Sequence, residues 1–448
     1  MSIVSSSLNH LLRVPLAAEV HSRPSLRVGA PEGLTHLAVY ARGAQGEPAD
    51  AGALQHQLLC ALCQHFGVAG PFLDAKYFFH DFGNFRLQWE AHTEFATYTF
   101  AAPMAPSLAL EAAFEQVPLR FIPQKWLHGL NGMVMVAAHV VLQQGASEQG
   151  ELDGLVEQMR LSFGGNLLVG SEALEAARLW TDFAIQPDGF SRFVVQDLGL
   201  QYQQAGRLVQ RILEIETYRM MALLGLPHAQ QAAPVLSVIE AELARLSAGM
   251  TDSAAAQAPD AANDERDLLH KITALAARME KLALENSYRF AASKAYFKLV
   301  QARIGELREH RIAGVPTVGE FMERRLAPAM STCESMVRRQ QALAERIGRS
   351  NDLLRTRVGI VQEQQNRRIL ESLNARAAQQ LRLQQAVEGL SVVAISYYSI
   401  GLLSYAGKAA KAAGLPINPD LAVGALIPLT LAAVWLGLRR MHRHVAER

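Results

Sequence analysis

EGLSVVAISYYSIGLLSYAG, residues 388 to 407, follows a long Arg- and Gln-rich segment, and its reading decides the architecture. From Val387 to Ala406 the chain runs for about 20 residues without Asp, Lys or Arg, the length a helix needs to cross roughly 30 Å of hydrocarbon. A second run, LAVGALIPLTLAAVWLGL at 421 to 438, carries no charge, and the stretch between is punctuated by Gly414, Pro416 and Pro419. Two apolar runs joined by a short loop predict a transmembrane hairpin. Arg367, Arg368, Arg376 and Arg382 precede the first run, and Arg439, Arg440, Arg443 and Arg448 follow the second. Both ends are therefore expected in the cytoplasm. Tyr405 and Trp435 fall where interfacial aromatics belong. The alternative is a buried hairpin in a soluble helical bundle, because Ser391, Ser396, Ser399 and Ser404 dilute the first run.

With 448 residues, half of them hydrophobic, the chain is long enough for more than one domain and a substantial core. A formal net charge of +1 gives no general basic field, so nucleic acid is not an expected partner. Cys60, Cys63 and Cys333 cannot form a full set of disulfides, which suits a reducing cytoplasm. The first residues lack a signal peptide's basic start and unbroken apolar run.

Residues 1–200 read as a cytoplasmic α+β or α/β domain. LTHLAVYARG (34–43), FRLQWEAHT (85–93), FATYTFAA (95–102), GMVMVAAHVVLQ (132–143) and SRFVVQDLGL (191–200) have strand character, several alternating apolar with polar residues. LQHQLLCALCQHFG (54–67) and SEALEAARLWTDFA (171–184) have helical spacing. Residues 201–316 are expected to be helical, with one helix ended by Gly225 and Pro227, an exposed linker at 251–267 and a long helix from 268 to 311. A stalk helix spans 317–386, with a kink expected at Pro328. The first span covers 387–406, the outer loop 407–420, the second span 421–438 and a basic tail 439–448. A helix from about Met330 to Ala406 would be roughly 115 Å long. Its apolar positions, among them Leu354, Val358, Val361, Ile369 and Leu373, need covering, which points to a homo-oligomer.

No HExxH, GxSxG or dinucleotide fingerprint occurs, so neither an enzyme nor a cofactor is expected. Glu90, His92 and Glu94 alternate along one predicted strand, a pattern able to hold a metal or to form a solvated strand face. His80 and Asp81 lie just upstream, and Glu19, His21 and Arg23 share the alternation in an extended segment. Cys60 and Cys63, near His65, read as core cysteines rather than half a zinc site. Gly165 to Ser171 has the look of a phosphate loop without its Lys. In the first span, Glu388, Ser391, Ile395, Tyr398, Ser399 and Leu402 share a helical face with Tyr405 at its outer end. Such a stripe lines a pore or packs helices together.

LNHLLRVPLAAEVHSRPSLRV (8–28), FRLQWEAHTEF (85–95) and the run from Gln380 to Lys411 followed by LAVGALIPLTLAAVWLGLRRM resemble an uncharacterised family of proteobacterial membrane proteins. That resemblance covers essentially the whole chain and implies a bacterial inner-membrane location without an established activity. More distantly, the layout is similar to CorA-type magnesium transporters, which implies a pentamer around a pore lined by the first span. Their Gly-Met-Asn signature is absent: the equivalent place reads Ser404-Tyr405-Ala406-Gly407-Lys408, and Asn418 is the only loop amide. Lys408 and Lys411 would repel cations there. The expectation is a multi-pass, CorA-like protein of the inner membrane with lipid and its own copies as partners, transporting ions through the first span. The alternative is a membrane-anchored interaction or ligand-sensing protein without transport.

Overall fold

The computed structural model describes residues 9–14, 16–17, 24–40, 51–106, 108–145, 152–255, 261–413 and 419–446. The chain divides into two compact units. One comprises Met1–Ala248 with Lys271–Arg349, the other Gly249–His270 with Ser350–Arg448.

The first unit is built on a sheet of nine strands among the described residues. In chain order they are β1 (Glu32–Tyr40), β2 (Tyr77–Asp81), β3 (Arg86–Ala91), β4 (Phe95–Pro103), β5 (Val134–Gln144), β6 (Val169–Ala173), β7 (Ala177–Ile185), β8 (Ser191–Asp197) and β9 (His310–Arg311). Their spatial order is β2-β3-β4-β1-β5-β8-β7-β6-β9. Pairing is antiparallel except between β5 and β8.

Helices α1 (Ala51–His65), α2 (Leu110–Glu115), α3 (Gln124–His128) and α4 (Leu152–Ser162) lie in sequence between the strands. On one face Leu59, Leu62 and Cys63 of α1 and Trp126 of α3 pack with Leu37, Leu87, Trp89, Tyr98 and Phe100. Further along that face, Phe114 of α2 and Met159 of α4 cluster with Val141, Trp180 and Val194. The opposite face is covered by α5 (Tyr202–Leu223), whose Leu208, Val209, Ile212 and Leu213 pack on Leu34, Ala38, Val140 and Leu142. Each such side chain taken from water contributes about 1.5–3 kcal/mol. Because both faces are covered, β1 is buried along nearly its whole length, polar residues included.

Four helices follow. α6 (Gly225–Ala255) starts directly after α5, and α7 (Ala261–Leu307), α8 (Val318–Arg325) and α9 (Ala327–Ala412) come next. The helix from Tyr202 ends at Leu223, just before Gly225 as expected, and Gly225 begins the next: a Cβ there would meet Ser293 Oγ at 2.5 Å and Cys333 Sγ at 3.2 Å, so the glycine permits close approach of α7 and α9. At Pro328, where a kink was expected, the helical run is interrupted by one residue, Leu326, while Leu326 N–H and Met330 N–H still bond the Met322 and Leu326 carbonyls. α8 ends before it, and the proline occupies the first turn of α9, where a missing N–H costs little. The start of α8 is fastened by Thr317, whose hydroxyl accepts from the Glu320 N–H at 3.2 Å, and by Glu309, which accepts from Val318 N–H and Gly319 N–H at 3.0 and 2.9 Å. Ser171 of β6 donates to the same Glu309 carboxylate at 2.7 Å.

Two expectations are corrected. Residues 171–184, read as a helix, form the β6–β7 hairpin, with Leu174 and Glu175 in the left-handed region at φ 55° and 58°. Their Ala, Leu and Glu content favours helix, but ladder pairing to β8 and burial of Leu179 and Trp180 outweigh a preference of tenths of a kcal/mol per residue. The predicted linker 251–267 is helical at both ends, α6 reaching Ala255 and α7 starting at Ala261.

In the second unit, Arg357 Nη1 donates to the Met250 carbonyl at 3.0 Å. α9 carries exposed Leu353, Ile360, Ile369, Leu370, Leu373 and Leu381, while Leu354 is buried. Among the described residues α9 is the one helix long and apolar enough to cross a membrane. The last helix, α10 (Pro419–Ala446), contains a shorter apolar stretch, Gly424–Gly437.

Candidate functional site

The sheet face beneath α5 is not uniformly apolar. Alternation along β1, β3 and β4 turns Leu34, His36 and Ala38, Gln88 and Glu90, and Thr97 and Thr99 to one side. Strand register sets His36 opposite Thr99, and Thr99 opposite Gln88. A lateral row His36–Thr99–Gln88 results, with Thr97 and Glu90 paired in the row beside it. Thr217 of α5 lies over this row, and together they line a half-open cavity of about 40 Å³ with apolar walls that include Leu26, Leu34, Val209 and Leu213.

Hydrogen bonds fix most of these groups. His36 Nδ1 lies 2.8 Å from Thr99 Oγ1 and its Nε2 lies 3.1 Å from Thr217 Oγ1. Gln88 Nε2 donates to Glu90 Oε1 at 2.6 Å, and His92 Nε2 is 3.7 Å from Glu90 Oε2. The His92 ring stacks on Phe95 at 4.4 Å. Gln88 is only 5% exposed, yet its Oε1 has no hydrogen-bond partner among the described residues. Buried polar atoms are nearly always paired, so this acceptor stands out against the satisfied row around it.

Electrostatics follow burial. His36 is pushed down to about 3 by burial. On the sheet's other face His139, bonded to Thr35 Oγ1 at 3.0 Å and stacked on Phe190, is pushed down to about 4, again chiefly by burial. Tyr77, opposite Glu90 in the β2–β3 ladder, is raised to about 12 by burial and then by the Glu90 charge.

A pH dependence follows from the two buried histidines. The unfolded chain protonates them near pH 6.5 while the fold holds them neutral to about 3 and 4, so below about 6.5 the unfolded state binds more protons. Stability is therefore expected to fall on acidification from about pH 6.5, by up to about 1.4 kcal/mol per pH unit for each histidine. Urea midpoints between pH 7 and 4.5 check this, and His36→Asn should flatten the slope. An unchanged midpoint over that range contradicts it.

Glu90, His92 and Glu94 were expected on one strand. β3 ends at Ala91 and β4 begins at Phe95, so the three straddle a hairpin turn and diverge. Glu90 and His92 line the cavity. Glu94, 2% exposed, instead makes an ion pair with Arg289 of α7, accepts from Tyr296 OH at 3.1 Å, and shares Arg289 with Tyr40 OH, which lies 3.0 Å from Nη2. Burial and the Glu94 charge raise Tyr296 well above the usual phenol range. Among the described residues no three His, Cys, Asp or Glu side chains are grouped to hold a metal ion.

Cys63 sits in the core with its thiol raised to about 11, chiefly by burial; Cys60 Sγ is 3.5 Å from His56 Nε2. His80 packs against Phe78 and Phe82, and Asp81 accepts from Gly83 N–H at 2.9 Å. Glu19, His21 and Arg23 lie outside the described residues. Gly170 and Ser171 belong to β6, where a Cβ on Gly170 would meet the Trp180 ring at 2.6 Å, so that segment is strand rather than phosphate loop.

The candidates of the first apolar run all lie on α9. Ser391 Oγ donates to the Val387 carbonyl at 2.9 Å, so its donor is used within the helix. Ile395, Tyr398, Leu402 and Tyr405 are exposed, while Glu388 and Ser399 are half-buried. Ser396, not part of the expected stripe, is 3% exposed with its Oγ unpartnered among the described residues. Lys408 and Lys411, expected in a loop, are helical because α9 continues to Ala412. Asn418 lies outside the described residues.

His36, Gln88, Thr97, Thr99 and Thr217 were not singled out from the sequence. The available signal was Thr at alternate places in FATYTF beside the polar places of FRLQWEA, a second polar face on strands whose other face is core.

The model of a family described as "Protein of unknown function (DUF3422)" matches residues 8–445, and the chain belongs to that family. No curated protein and no solved structure matches it. The likeness to CorA-type transporters thus has no support beyond the layout of the chain.

Proposed function

We propose that this DUF3422 protein is a membrane-anchored, ligand-binding protein of the bacterial inner membrane. In this reading its cytoplasmic sheet unit holds a small polar molecule between β1, β3, β4 and α5. The apolar parts of α9 and α10 form a two-span hairpin with both ends cytoplasmic, and the exposed apolar residues of α9 pair with further copies of the chain. The observation that carries the reading is a half-open pocket lined by His36, Gln88, Glu90, Thr97, Thr99 and Thr217, polar side chains gathered among apolar walls. The low-molecular-mass fraction of a host-cell extract is expected to raise the melting temperature of the purified full chain by several degrees and to leave Gln88→Leu unmoved. An equal shift in both proteins, or none in either, contradicts it.

A second reading, a CorA-like channel with α9 along an ion path, is favoured by buried Ser396 with its unsatisfied hydroxyl in an otherwise apolar segment. Ion flux through proteoliposomes that Ser396→Leu stops would support it, and wild-type flux no higher than that of empty liposomes would remove it.

A further inference from the structure

A second, half-open hollow of about 510 Å³ lies beside α8, lined by residues of the β9–α8 connection, Leu167 and one side of α8. That volume falls within the roughly 300–1,000 Å³ of small-molecule pockets. Its walls are fastened to the sheet. Ile312 and Val315 are buried with Trp180, the Gly170 N–H donates to the Pro316 carbonyl at 3.0 Å, and Phe321 stacks on Phe183 at 4.8 Å. Three guanidinium groups, those of Arg311, Arg324 and Arg325, line the hollow with one carboxylate, Glu320. The carboxylate is already engaged: both of its oxygens accept from Arg311 Nη2 at 2.8 Å, and Oε2 also accepts from the Thr317 N–H at 3.1 Å. The Thr317 N–H, and after it Arg311, hold the Glu320 carboxyl below the usual carboxylate range. Arg324 and Arg325 are exposed, and neither makes a hydrogen bond or an ion pair among the described residues. Leu167, 54% exposed, adds an apolar wall beside Phe321.

Two unmatched guanidinium groups in one hollow favour an anion, and their number favours a divalent one. A single carboxylate brings one negative charge and would leave the other guanidinium unmatched. A phosphate monoester brings about −1.5 to −2 at pH 7 with three acceptor oxygens, and guanidinium N–H groups bind phosphate in pairs. Inorganic phosphate supplies the charge but leaves Leu167 and Phe321 uncovered. We propose that the hollow beside α8 binds an organic phosphate monoester, with Arg324 and Arg325 holding the phosphate and the organic part lying against Leu167 and Phe321. This site is separate from the cavity beneath α5, and its assignment does not rest on the reading of that cavity. A soluble phosphate monoester and the headgroup of a phosphatidic acid share the required chemistry.

Calorimetric titration of the full chain in detergent micelles with phenyl phosphate tests the assignment, with benzoate and inorganic phosphate titrated in parallel. Saturable binding of phenyl phosphate is expected, tenfold or more tighter than that of either control. Arg324→Ala combined with Arg325→Ala is expected to weaken it tenfold or more. Leu167→Glu should do the same, because it sets a negative charge on the wall while every arginine stays in place. All three positions are exposed, and unchanged circular dichroism establishes that the variants are folded. Competition by dihexanoyl phosphatidic acid at concentrations below those of phenyl phosphate would identify a lipid headgroup as the source, and weaker competition a soluble monoester; the site stands in either case. Benzoate binding as tightly as phenyl phosphate would overturn the choice of phosphate, and inorganic phosphate binding as tightly would overturn the organic part. Absence of phenyl phosphate binding, or binding unchanged in either variant, overturns the site itself. Neither variant alters a residue lining the cavity beneath α5, so these outcomes leave that reading to its own test.

Discussion

Replacing Arg289 with alanine is expected to lower the stability of the sheet-bearing unit by about 3–5 kcal/mol, because it strands a buried carboxylate. Glu94 and Arg289 are 2% and 5% exposed, and with Tyr40 and Tyr296 they join the start of β4 to α7. The large figure reflects the loss of one partner rather than the value of the pair. Glu94→Leu combined with Arg289→Met should therefore recover most of the loss, since a well-packed apolar replacement removes both charges at once. Denaturant unfolding followed by fluorescence of the buried Trp89, Trp126 and Trp180 reads these differences. A loss below about 1 kcal/mol for Arg289→Ala, the range of an exposed pair, would contradict the description of this network.

The second large effect is expected at Gly206, inside α5. Alanine is the better helix former by about 1 kcal/mol and would ordinarily stabilise the position. Here a Cβ would lie 2.0 Å from the Leu26 carbonyl oxygen and 3.2 Å from its carbon, and neither backbone atom can turn aside as a side-chain tip can. Gly206→Ala is expected to push the segment holding Leu26 and Val28 off α5, costing about 1–3 kcal/mol net. It would also open the cavity wall that those residues provide. Gly154 of α4, with nothing within 4 Å of its Cβ position, is the control, and its alanine variant should be neutral or slightly more stable. Equal effects at the two glycines would contradict the close crossing.

Several strands were legible because alternation is a local signal. LTHLAVY, FRLQWEA and FATYTFAA were expected as strands, and β1, β3 and β4 occupy them. The β6–β7 hairpin was not, since its composition is that of a helix and only the paired β8 reverses the preference. A smaller part of the candidate site was visible in the same way. Glu90 and His92 drew notice as alternating polar residues, but Glu94 was grouped with them because the turn between β3 and β4 leaves little mark on the sequence. His36, Thr99, Gln88 and Thr217 come together only through register and helix docking. His36 and Thr99 are 63 positions apart, and His36 and Thr217 are 181 apart. No local pattern encodes such a pairing. Conversely, the length of α9 was foreseen from its unbroken periodicity, whereas the orphaned hydroxyl of Ser396 is a property of packing and could not be.

Both functional readings need the C-terminal apolar residues to lie in lipid, and alkaline carbonate extraction of host membranes containing the full chain tests this most directly. A peripheral protein is released at high pH, while one with spans in the bilayer sediments with the vesicles. The full chain is expected in the pellet, with detergent needed to release it; recovery in the carbonate supernatant would contradict the membrane anchor and leave the cavity as the property of a soluble protein.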